Sequence, residues 1–197
     1  MKLIGKISKE QFEHEFLKGE FYKKEYDEVR LQAEDIIATP DFNNTEHNRL
    51  INYLLWVLRK PLLERLPADI IWWEAELEDE DFENILIIRE TGWENTFGTN
   101  KTMKDVAQAI IDRLGDKGVD LPKIKEIQKN IGSHSFDERL ILIGESANAP
   151  LTVMEGNHRA VAFQLEKMEN GKDNHIPKNI LVGISLNIRN CAWWNWI

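Results

Sequence analysis

Leu151-Thr152-Val153-Met154-Glu155-Gly156-Asn157-His158-Arg159-Ala160-Val161-Ala162-Phe163-Gln164-Leu165 is the stretch that decides the fold. Leu151 to Met154 form an apolar, partly β-branched run behind Pro150, which predicts a short buried strand. Val161, Leu165 and Met168 then recur at spacings of four and three, so a helix is expected to run toward Gly171. Between them lies a polar turn, Glu155 to Arg159. A strand passing through a glycine turn directly into a helix belongs to a fold that mixes the two element types.

The same alternation extends outward. Leu140 to Ile143 predicts a strand just before the turn, and Ile180 to Ile184 another after it. Ile70 to Leu77 reads as a further strand: Ile71, Trp73, Ala75 and Leu77 alternate with Ile70, Trp72, Glu74 and Glu76. Ile85 to Ile88 is too short to assign to strand or helix. Glu78 to Asp81 is expected to be a solvated turn. Thr102 with Asp105 opens a helix ended near Leu114 and Gly115, and Pro122 suits the first turn of the next. His134 is read as a surface loop residue.

Residues 8–38 are expected to be helical, with Gly19 the candidate break, and Pro40 ends the segment. Asn43, Asn44 and Thr45 cap a second helix carrying Leu50, Ile51, Leu54, Leu55 and Leu58, which Pro61 is expected to interrupt. A shift from aromatic, helical character to mixed character near Pro67 divides the chain into an N-terminal helical layer, 1–67, and an α/β core with a Trp-rich tail, 68–197.

The turn also has chemistry. Glycine lets the backbone bend sharply and approach a ligand closely, and asparagine is a good helix N-cap. The first N–H groups of a helix lack partners within it, and the macrodipole favours an anion there. Arg159 adds a planar fork for oxyanions, and His158 a donor of adjustable charge. Glu155, Gly156, Asn157, His158, Arg159 and Ala160 therefore form a candidate phosphate site.

This stretch resembles the signature of the ParB/sulfiredoxin superfamily, in which a strand ends in an acidic-Gly-x-[His/Arg]-Arg turn that opens a phosphate-cradling helix. Glu155, Gly156, His158 and Arg159 carry the match, with Ala160 and Ala162 as small residues on the helix. The resemblance spans roughly residues 70–185, although its specific part is about ten residues. It implies an α+β fold: a small mixed sheet with helices, built as a ParB/sulfiredoxin-like core behind the N-terminal helical layer. It also implies a nucleoside triphosphate or diphosphate as ligand, with Mg²⁺ screening the phosphates through Glu155.

Sulfiredoxin activity is rejected, because Asn157 stands where that chemistry needs a Cys and the single Cys191 is distant in sequence. The leading implication is a small-molecule phosphotransferase or nucleotide hydrolase, since phosphoryl transfer depends on positioning and charge stabilisation. A non-catalytic nucleotide-sensing or protein-interaction module is the alternative, and a ParB-like nuclease the third.

Residues 89–101 are read as a loop that supplies the remaining parts. Trp93, Phe97 and Thr99 would line a substrate pocket, while Glu90 or Glu94 would act as general base with His158 beside the phosphates. Glu145, at a strand end, is a minor candidate. The net charge of −9 argues against duplex nucleic acid, whose binding rests on Lys and Arg. No apolar run suits a membrane span or signal peptide, and one Cys excludes an internal disulfide, so the cytosol is expected. Trp193, Trp194 and Trp196 would bury themselves on the chain's own body or in a protein partner or dimer contact.

Overall fold

The computed structural model describes residues 1–112, 119–133, 139–171, 177 and 179–191. In chain order these form β1 (Lys2–Ile7), α1 (Lys9–Glu20), α2 (Asp27–Ala38), α3 (Thr45–Leu63), β2 (Ile71–Glu76), α4 (Asp79–Glu83), α5 (Thr91–Phe97), α6 (Met103–Ile111), α7 (Leu121–Asn130), β3 (Ile141–Gly144), β4 (Thr152–Glu155), α8 (Asn157–Asn170) and β5 (Asn179–Ile184). The expected α+β class holds. The expectations for Leu114, Gly115, His134 and the Trp-rich tail lie outside the described residues.

The chain divides into two compact units, Met1–Gly5 with Pro67–Ile197, and Lys6–Leu66. The first unit contains the mixed sheet, ordered β1-β2-β5-β3-β4. Strand β5 runs antiparallel to β2 and parallel to β3, and β3 pairs antiparallel with β4. Four of the five strands lie where alternation or apolar runs place them. β1 had no expectation attached, since Leu3 and Ile4 sit among lysines and a glycine. Trp72 faces Gly183 across the β2–β5 pair, where an added Cβ would come within 2.7 Å of the indole. That glycine makes room for the ring.

Ile85 to Ile88 is an extended segment. The Leu86 N–H donates to the Leu151 carbonyl at 2.8 Å, and its own carbonyl accepts the Val153 N–H at 2.9 Å. On the other side, Ile87 donates to Lys101 and Met103 donates to Ile85. Enclosed on both flanks, all four residues are buried, which explains an unbroken apolar run. Their core neighbours include Phe82, Trp93, Met103, Val106, Leu142, Val153, Val161 and Leu165, and α6 and α7 both pack on α8.

Two local expectations for this unit are corrected. Glu78, Asp79 and Glu80 are exposed as expected, but the run opens a helix and not a turn: Asp81, at the third position of α4, reaches back to accept the Glu78 N–H at 3.1 Å, and α4 buries Phe82. Residues 91–97 form α5 rather than a loop. Gly92 sits inside it, where Thr96 Oγ1 donates to the Gly92 carbonyl at 2.7 Å, and Gly98 (φ +87°) ends it.

In the helical unit, Gly19 lies within α1, and the break comes at Phe21 to Lys23 instead. Asn44 caps α3 as expected, accepting from Glu46 and His47. Pro61 does not interrupt α3. It falls in the last turn, where few hydrogen bonds remain to be lost, and packing by Ile51, Leu54 and Leu55 holds the rest.

Candidate functional site

α8 starts from Gly156, whose φ of +94° is the left-handed conformation that glycine adopts without steric cost. A Cβ there would lie 2.7 Å from Leu140 Cδ2 and 3.1 Å from both Nε and Nη2 of Arg159. The bare Cα thus lets the guanidinium fold back over the first turn. Ala160 closes that turn, its N–H donating to the Gly156 carbonyl at 2.8 Å, and its methyl is fully buried.

Asn157 does not serve as the cap. It is the first helical residue, and its Oδ1 accepts the Ile88 N–H at 3.1 Å. That bond ties the buried 85–88 segment, and the α5 helix that follows, to the start of α8. His158 adds a second tie, its ring 5.1 Å from Trp93 at an interplanar angle of 61°. Trp93 in turn meets Phe97 at 6.1 Å.

The sequence-selected residues fall into three groups. Glu155, Gly156, Asn157, His158, Arg159 and Ala160 are brought together by the β4–α8 connection. Trp93 joins them through His158, but as a core residue only 4% exposed, while Phe97 is half-buried against the same cluster. Thr99 and Glu90 are exposed, and Glu94 lies 3.3 Å from Arg89 Nε as its ion partner. Glu145 follows the last residue of β3, whereas Ile141, which pairs with Glu155, is its first, so the two acids lie at different ends of that strand. Its bond to Arg189 holds its carboxyl below the usual range.

Arg159 carries the main electrostatic feature. Its Nη2 donates to the Glu155 carboxylate, and each side chain is 16% exposed. Arg159 Nε is buried without a hydrogen-bond partner. A guanidinium with one donor unused, beside the N-terminal end of a 14-residue helix, favours an oxyanion. Three contributors escaped the sequence reading: the Ile88 N–H, Leu140 against Gly156, and Arg89 beside Glu94. Only the buried character of Ile85 to Ile88 left a signal. Among the described residues, no group of three or more His, Cys, Asp or Glu is placed to hold a metal ion. Nor is any described helix long and apolar enough to cross a membrane. Comparison with protein-family models, with curated proteins and with solved structures gave no match to this chain.

Proposed function

We propose that this protein binds the phosphates of a nucleotide at the turn from β4 into α8. The observation that supports this reading best is the left-handed Gly156 with the Arg159 guanidinium folded over the helix start. Backbone N–H groups of the first turn would receive phosphate oxygens, and Arg159 would supply the charge. The resemblance of Glu155-Gly156-Asn157-His158-Arg159 to the ParB/sulfiredoxin signature agrees in ligand class. Mg²⁺, if bound, would use the Glu155 carboxylate and the phosphate's own oxygens, a donor set that suits an ion needing few protein ligands.

A phosphotransferase or nucleotide hydrolase needs a base beyond this anion site, and Glu94 is the acid on the element tied to it. Its pairing with Arg89 and the exposure of Glu90 favour a second reading, a nucleotide sensor without turnover. A nucleotide panel with and without Mg²⁺, scored for thermal shift and for product, separates the two. Thermal shift with product supports the enzyme, and shift without product supports the sensor. No shift with any nucleotide overturns the binding reading. For an enzyme, Glu94→Gln should lower turnover about 10²–10⁴-fold with nucleotide affinity nearly intact.

A further inference from the structure

The Glu155–Arg159 pair has a geometry that bears on how the phosphate site is controlled. The Nε and Nη2 hydrogens of an arginine point the same way and together match two oxygens of one phosphate or carboxylate. In Arg159 the Glu155 carboxylate takes Nη2, while Nε, on that same edge, is buried with no partner. A buried donor left unpaired is costly, so the edge is only half used. The two side chains are joined across the Gly156 turn at a spacing of four residues, each shielded from most solvent.

Resting on the phosphate-binding reading, we propose that Glu155 is a built-in competitor for Arg159, occupying it in the free protein and leaving when an oxyanion enters. The chemistry that fits the vacated edge is a tetrahedral oxyanion with two oxygens in one plane, as in a terminal phosphate or pyrophosphate. Such a ligand would satisfy both Nε and Nη2. It also has to displace a carboxylate that then stands beside it, and like charges at close range weaken binding. Anion affinity is therefore set below the site's full capacity by one acidic residue.

Inorganic pyrophosphate titrated by calorimetry into the full chain tests this. Glu155→Gln keeps the side chain's size and removes its charge, so affinity should rise roughly tenfold or more over the parent, on the scale of a hydrogen bond to a charged group. Adding Arg159→Ala to Glu155→Gln should remove most of the gain, the part that comes from freeing Arg159, and leave only the smaller part that comes from ending the like-charge repulsion; a gain as large without Arg159 as with it overturns the competitor role. Should the variant not fold, the Arg159 Nε–H resonance of the parent protein gives the second reading. It should shift in proportion to pyrophosphate bound, whereas a stationary resonance during binding overturns the competitor role.

Equal or weaker pyrophosphate binding by Glu155→Gln, with the parent binding through Arg159, also overturns that role but leaves the phosphate site standing. No pyrophosphate binding by any of these proteins overturns the site as well.

Discussion

At Gly156 a single methyl group would act on both backbone and site. Gly156→Ala forces a non-glycine residue into positive φ and pushes a Cβ to within 2.7 Å of Leu140. Strain of this kind costs on the order of 1–3 kcal/mol, so urea unfolding should show a loss of that size, together with displacement of Arg159. A loss near zero would mean that the turn relaxes freely. Asn157 is a different case, because its amide oxygen serves a distant buried N–H. Asn157→Ala should cost about 1–3 kcal/mol by orphaning the Ile88 donor, whereas Asn157→Asp keeps an acceptor there. Equal stability of the two variants would refute the proposed role of that bond. The sequence suggested Asn157 as the helix cap, a place that Gly156 takes instead, and the partner that Asn157 does have was not readable. Nothing in local spacing links Asn157 to a backbone group 69 positions earlier.

Among the elements, α1 and α3 show how polar residues set the pairing of two amphipathic helices. Glu13 accepts from Asn52 at 3.1 Å, and Glu20 accepts from Arg59 Nε at 2.6 Å, seven residues further along each helix. Glu20 is almost fully buried and also holds Lys23. Replacing Arg59 by Leu removes a charged partner from a buried carboxylate and should cost roughly 1.5–3 kcal/mol. The double variant with Glu20→Leu should regain much of that loss. A double variant no more stable than the single one would show that the pair does not act as a unit. Strongly periodic elements such as α3, α6 and α8 were legible from their apolar spacing and caps. α5 was not, since Gly92, Thr96 and Gly98 give it the composition of a loop. Its helix is selected by burial of Trp93, a tertiary effect that local propensity does not contain. β1 was hidden for the same reason, as two apolar residues become a strand only when β2 offers an edge.

Over the whole molecule, charge has effects in two places. The Glu83 carboxyl lies below its usual range, first because Lys167 donates to it and then because Lys104 does. Glu169 is lowered similarly, first by Gln128 and also by Lys125. A carboxyl with a lower pKa folded than unfolded binds fewer protons in the folded state. Its stabilisation is complete above the unfolded value, about 4.3, and is lost as pH falls through the lower folded value. Denaturant midpoints measured below about pH 4.5 should therefore drop less steeply for Glu83→Gln than for the parent. Parallel curves would show that Glu83 does not contribute. From the net charge of −9 we expect duplex DNA to be a poor ligand, and mobility-shift assays at physiological salt should show weak binding or none.

The measurement that bears most directly on the account is calorimetric titration of a nucleotide into the parent protein and Arg159→Ala, both checked for folding. Binding by the parent is expected, with a loss of about 1.5–3 kcal/mol, roughly ten- to a hundredfold in affinity, in the variant. Unchanged affinity in a folded Arg159→Ala protein would contradict it and take the phosphate site away from the β4–α8 turn.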